Sequence, residues 1–154
     1  MTLAIGQTAP AVSLPQADGD TLSLAHLKGN PVVVYFFPKA DTGSCTKQAE
    51  AFTALAAGFA ASGTTVVGIS KDPVRKQARF RDKYALKVGL LSDEESDTVE
   101  RFGVWVEKSM YGKTYMGIER ATFLIAADGT IARIWRNVKV AGHAQEVLDA
   151  VRAL

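Results

Sequence analysis

A single segment dictates most of what this chain can fold into. Pro31–Phe37 reads Pro-Val-Val-Val-Tyr-Phe-Phe, an unbroken β-branched and aromatic run. A strand of that composition is apolar on both sides, so both faces of its sheet need a cover. Pro38 ends the run, because proline brings no N–H to a ladder. The cover has to come from the same chain, and 154 residues suit a single domain, 1–154. A core of this size buries about 68–70% of the surface an unfolded chain exposes, with no disulfide or metal staple.

The remaining pattern supplies the covering layers. Ala11–Leu24 alternates and turns at Asp18-Gly19-Asp20, which predicts an N-terminal β-hairpin extension. From Gly43 to Ala61, Ala49, Phe52, Leu55, Ala56 and Phe59 form the apolar stripe of one helix. Thr64–Ser70 predicts a second buried strand. Asp72-Pro73 opens a helix to about Tyr84, with proline in its first position. Leu90–Ser92 predicts a short strand and Glu95–Phe102 a helix, whereas Val104–Gly117 is polar and glycine-bearing and is expected to be a loop. Thr122–Ala126 and Thr130–Arg136 flank Asp128-Gly129, a strong hairpin signal. Gly142–Leu154 closes the chain as a helix with Ala144, Val147, Leu148 and Val151 on one side. This order of strands and helices predicts an α/β fold, a central mixed β-sheet flanked by helices.

Composition removes several function classes. The net charge of +2 comes from 18 basic and 16 acidic residues in a mixed pattern, without the basic stripe that nucleic acid requires. No membrane partner is expected either, since the longest apolar run, Val32–Phe37, falls far short of a bilayer crossing. Met1-Thr2-Leu3-Ala4-Ile5 lacks the basic start and apolar core of a secretory signal. Cys45 is the single cysteine, which excludes an internal disulfide. With only His26 and His143 beside it, no cysteine-based zinc site can be assembled. A reduced, cytoplasmic protein without metal or cofactor is expected.

The lone thiol then needs an explanation. Free cysteine is often a small buried hydrophobe, and that is the ordinary role to weigh first. Against it, Cys45 falls just past the carboxyl end of the central strand, at a helix start, where open α/β sheets place their sites. A helix start offers unpaired N–H groups and the positive end of the macrodipole to a thiolate. Thr42-Gly43-Ser44 is polar, and an accessible sulfur is expected there. Lys39 and Lys47 add positive potential only if they point inward. His26 and His143 are expected at the surface or at helix caps, Trp105, Trp135 and Tyr35–Phe37 in core or pocket wall, and Arg75–Lys83 on a solvated helix face.

Pro38, Thr42 and Cys45 fit the Pro-x3-Thr-x2-Cys signature of peroxiredoxins. The chain resembles the branch called bacterioferritin comigratory protein, or peroxiredoxin Q, along nearly its whole length. Gly68-Ile69-Ser70-Lys71-Asp72, Leu90-Leu91-Ser92-Asp93, Tyr111–Ile118, Arg120–Ile125 and Val138-Lys139-Val140…Gly142-His143 are similar to it in order. The resemblance implies a thioredoxin-like fold with Cys45 as the peroxidatic thiolate, oxidised to a sulfenic acid. It implies that Thr42 hydrogen-bonds the peroxide, Pro38 shields the site and Arg120 stabilises charge. Their structural alternatives are a helix cap, a strand terminator and a solvated arginine.

Such helpers are physically necessary. For thiols in general, lowering the pKa from ~8.5 to ~6 raises the thiolate fraction about 30-fold but costs about 13-fold in nucleophilicity. A net gain of about twofold is far below what an enzyme supplies. Donors holding both peroxide oxygens must provide the rest, and the Thr42 O–H, the Cys45 N–H and the Arg120 guanidinium are suitable.

Two departures from the branch matter. Glu50 stands where many members carry a second cysteine, and Gly43-Ser44 where Pro-Gly is common. A one-cysteine cycle is therefore expected, with a hydroperoxide substrate and an external thiol: thioredoxin, glutaredoxin or glutathione. The branch also implies a monomer. A thiol-based redox sensor or holdase on the same fold is the competing function; a disulfide carrier is disfavoured without a Cys-x-x-Cys pair.

Overall fold

The computed structural model describes residues 3–154, so the part of the amino-terminal reading carried by Met1 and Thr2 lies outside the described residues. In chain order it contains β1 (Ser13–Pro15), β2 (Thr21–Ser23), β3 (Val32–Phe36), α1 (Gly43–Ala54), α2 (Ala56–Ala61) and β4 (Thr65–Ser70). There follow α3 (Val74–Tyr84), β5 (Gly89–Ser92), α4 (Thr98–Arg101), β6 (Trp105–Met110) and β7 (Lys113–Ile118). The chain closes with β8 (Ala121–Ile125), β9 (Ile131–Trp135) and α5 (His143–Arg152).

The central sheet has the order β5-β4-β3-β8-β9. β3 pairs parallel with β4 and antiparallel with β8, so the sheet is mixed, as expected. Every residue of β3 is buried. Its side chains alternate between two cores, which explains the unbroken apolar run. Val33, Tyr35 and Phe37 join Phe52, Phe80, Val147 and Leu148 on one face, under α1, α3 and α5. Val32, Val34 and Phe36 join Ile69, Leu91, Phe102 and Phe123 on the other. Both outer strands are shielded from stray pairing. Ile131 of β9 exchanges backbone bonds with Gly6 and Gln7, and the Ala17 N–H donates to Leu90 O beside β5.

The β1–β2 and β8–β9 hairpins, the buried strands and the apolar face of α5 match the sequence expectations. Four elements differ. The helix expected over 43–61 breaks at Leu55 (φ −101°, ψ 10°), and the redirected α2 brings Gly58 against Leu148 of α5. Pro73 is the N-cap of α3 rather than its first residue. The expected helix at 95–102 shrinks to α4, because the buried Asp93 carboxylate accepts the Thr98 and Val99 N–H groups and sets the start there. The expected loop at 104–117 is the β6–β7 hairpin, turned by Tyr111 and Gly112 with φ of 54° and 77°. A two-residue turn of that handedness suits a hairpin. Its strands are largely exposed, so they lack the apolar alternation that marks a half-buried strand. Among the described residues, no helix is long and apolar enough to cross a membrane.

Candidate active site

The segment between β3 and α1 is held from below by charge and hydrogen bonds. The Asp72 carboxylate accepts the Ala40 N–H at 2.8 Å and the Ser70 hydroxyl at 2.6 Å through the same oxygen. Asp41, in the left-handed region at φ 59°, accepts from Tyr84 Oη at 2.6 Å and Lys83 Nζ at 2.9 Å. Those bonds, Tyr84 first, hold its carboxyl below the usual carboxylate range. The chain then enters α1 through Thr42, whose backbone is extended. The first intrahelical bond runs from Thr46 N to Thr42 O at 2.8 Å, so the N–H groups of Gly43, Ser44 and Cys45 precede the ladder.

Thr42 sits at the N-cap position but its side chain does not cap; the hydroxyl donates to Lys39 O at 2.8 Å. With its proton committed there, the Thr42 hydroxyl has only lone pairs to offer a further partner in this arrangement. Pro38 is half-buried at the end of β3, while Lys39 and Lys47 are exposed.

Cys45 itself is 2% exposed, which overturns the expectation of an accessible sulfur. The first turn of α1 faces inward at this position, and a side chain from a distant strand end covers it. Arg120, between β7 and β8, donates from Nη2 to Cys45 Sγ at 3.2 Å and to Ser44 Oγ at 3.1 Å. Its Nη1 donates to Gln48 Oε1 at 2.6 Å. One guanidinium therefore joins the sulfur to two positions of α1, and the arginine is no solvated surface group.

The backbone around Arg120 is fixed as well. Its carbonyl accepts the Val138 N–H at 2.9 Å, and Glu119 N donates to Val104 O at 2.8 Å. The Glu119 carboxylate takes Arg136 through Nη2 at 2.6 Å and Nε at 2.9 Å, plus the Asn137 N–H at 2.9 Å. The Arg136 bonds, offset in part by burial, keep Glu119 below the usual carboxylate range.

Sequence reasoning missed Gln48, Ser44 as a ligand of Arg120, and the Glu119–Arg136 pair. Gln48 was within reach, since it shares a helix face with Cys45 at a spacing of three. Beneath the thiol, the Tyr35 ring stacks on Phe52 at 4.8 Å, and its buried hydroxyl has no hydrogen-bond partner among the described residues. Burial, then the negative charge of Cys45, pushes that phenol above its ordinary range, so it stays protonated. His143, expected at the surface or at a helix cap, stands at the start of α5 but is buried, with Nε2 2.8 Å from Thr122 Oγ1 and Phe52 and Trp135 edge-on to its ring. Burial, against the opposing charge of Glu146 and with the charge of Arg120, lowers its pKa. His26 is exposed, as expected.

A family model described as the AhpC/TSA family matches residues 5–134. A putative peroxiredoxin bcp of Coxiella burnetii is 46% identical over 96% of this chain and 98% of its own length. Peroxiredoxin Bcp of Escherichia coli K12 is 44% identical over 96% and 94%. Among solved structures, Xanthomonas campestris peroxiredoxin Q superposes with a TM-score of 0.88 at 39% identity, covering 92% of this chain and 90% of its own. A cysteine-to-serine variant of Xylella fastidiosa PrxQ gives 0.94 at 33% identity, covering 99% and 98%.

Proposed function

The chain belongs to the AhpC/TSA family, on its Bcp/peroxiredoxin Q branch, and is a thiol peroxidase; we propose that Cys45 performs the reaction in a one-cysteine cycle. The observation that carries this reading is the Arg120 guanidinium bonded to the Cys45 sulfur and braced by Gln48 and Ser44. The thiolate attacks the distal oxygen of a hydroperoxide. An S–O bond forms, the O–O bond breaks, and negative charge moves from sulfur to the leaving oxygen. Arg120 and the free N–H groups of the α1 start face that charge where it develops. Thr42 accepts the peroxide O–H and orients the attacked oxygen, and Pro38 walls the site.

Cys45 is the only cysteine, so its sulfenic acid has no partner within the chain. An external thiol condenses with it, releasing water and leaving a mixed disulfide, which a second thiol resolves. We take that thiol to be thioredoxin, glutaredoxin or glutathione. The oxidants are hydrogen peroxide and organic hydroperoxides; alkyl peroxide reduction is described for the Xanthomonas relative. A monomer in the reducing cytoplasm, consistent with one unpaired thiol, completes the proposal.

An NADPH-coupled peroxide assay with the thioredoxin and glutathione–glutaredoxin systems side by side tests it. Wild type is expected to consume peroxide with at least one system, and Cys45→Ser with neither. Consumption that survives Cys45→Ser would overturn the assignment. Stoichiometric oxidation of Cys45 that no system reverses would point instead to a redox sensor.

A further inference from the structure

Ser44 stands where the branch commonly has glycine, and the added hydroxyl has a place in the site. Its Oγ accepts from Arg120 Nη2 at 3.1 Å, and the same nitrogen donates to Cys45 Sγ at 3.2 Å. That nitrogen carries two N–H bonds, so both contacts are made at once. Hydroxyl and sulfur are separated by a single shared donor. The other end of the guanidinium is fixed as well, by Nη1 on Gln48 Oε1 at 2.6 Å.

A serine in the first turn of a helix ordinarily bonds a nearby backbone group. Ser44 does not. No side chain caps α1, and the Ser44 O–H finds no acceptor among the described residues. The residue is exposed, whereas Cys45 beside it is covered. A peroxide moving in from solvent along the guanidinium therefore meets this hydroxyl before the sulfur.

The two hydroxyls of the segment are set in opposite senses. Thr42 has its proton on Lys39 O and offers lone pairs. Ser44 has a lone pair on a cation and its proton free. A hydroxyl that accepts from a charged donor is polarised, and becomes a stronger donor in turn. Together they complement an alkyl hydroperoxide, which has one O–H to give and a second oxygen that only accepts.

Resting on the peroxidase reading, we propose that Ser44 is a further catalytic residue, whose O–H donates a hydrogen bond to the leaving oxygen while Arg120 holds its Oγ. The Cys45 thiolate forms the S–O bond with the distal oxygen and is oxidised to the sulfenate. The O–O bond breaks and its electron pair passes to the proximal oxygen. That oxygen takes the hydroperoxide's own proton and leaves as alcohol or water. Ser44 keeps its proton throughout. Its hydrogen bond strengthens as charge builds on the leaving oxygen, so it favours the transition state over the bound peroxide.

Two reactions of the same thiolate test this. Oxidation of Cys45 by hydrogen peroxide, followed by rapid quench and intact mass, expels an oxygen; alkylation by iodoacetamide does not. Ser44→Ala is expected to slow oxidation about 10-fold and to leave alkylation within about twofold of wild type. Ser44→Thr, which keeps a hydroxyl, should stay within about threefold in both. Unchanged oxidation in Ser44→Ala would overturn the proposal. So would equal slowing of both reactions, because the hydroxyl would then act on the thiolate through Arg120 alone. A loss in Ser44→Thr as large as in Ser44→Ala would overturn it too. Thermal unfolding checks that the variants fold, and Ser44→Gly replaces Ser44→Ala if that variant does not. Wild-type protein whose Cys45 resists hydrogen peroxide would overturn the peroxidase reading itself; normal wild-type oxidation leaves the outcome to Ser44 alone.

Discussion

Three contacts on one guanidinium make Arg120 the most consequential single residue after the thiol. Its fork spans Gln48 on one side and Ser44 with Cys45 Sγ on the other, a geometry that one ammonium cannot reproduce. Arg120→Lys should slow the peroxide oxidation of Cys45 by roughly 10²–10³-fold, the usual cost of losing a donor aimed at developing charge. Gln48 Oε1 loses its partner in that variant, so a stability cost of about 1 kcal/mol is expected in urea unfolding. Pro38, Thr42, Cys45 and Arg120 could be singled out in the sequence because they match motifs of the family that the chain resembles. The direction in which Thr42 presents its hydroxyl, and the brace from Gln48, were not. Both depend on which neighbour lies within hydrogen-bonding reach.

At the scale of elements, α1 rests on the sheet through an aromatic stack that leaves no slack. Tyr35 of β3 lies in register with Gly68 of β4, and its ring packs on Phe52 of α1 and beside Phe37. A Cβ at position 68 would stand 2.6 Å from Tyr35 Cζ and 2.7 Å from its hydroxyl oxygen. The ring cannot retreat without lifting the helix that carries Cys45. Gly68→Ala should therefore destabilise the protein by about 1–3 kcal/mol, measured by urea unfolding, as overpacking of a filled core does. Buried strands such as β3 were readable because their apolar runs have one structural solution. The β6–β7 hairpin was not, since its largely exposed strands carry no apolar alternation. Reduction of the oxidised sulfur also belongs to this scale. At 2% exposure, Cys45 meets no second protein's thiol unless the first turn of α1 or the covering Arg120 moves.

For the whole molecule, the buried His143 couples stability to pH. Its pKa is lowered in the folded protein from the ordinary 6.5, chiefly by burial. Above that value both folded and unfolded chains hold a neutral ring, and the contribution is full. As pH falls below it, the unfolded chain binds a proton that the folded chain refuses, so stability declines. The slope cannot exceed about 1.4 kcal/mol per pH unit for one group. Urea midpoints measured between about pH 7.5 and 5.5 should fall with acidification, and His143→Gln should flatten the dependence.

The amino-acid sequence alone determined the α/β class, the buried central strand, the thiol at a helix start and, by its single cysteine, the absence of an internal disulfide. These follow from residue type, short-range spacing and a count. Only the tertiary structure decided that Cys45 is covered, that His143 is internal, and which side chain meets the sulfur. Antiparallel pairing of Phe36 with Ala121 sets residue 120 beside the end of β3. That brings a guanidinium 75 positions away in sequence onto Cys45. Periodicity describes the neighbourhood of a residue along the chain, whereas a contact over that separation exists only once the strands have found their register.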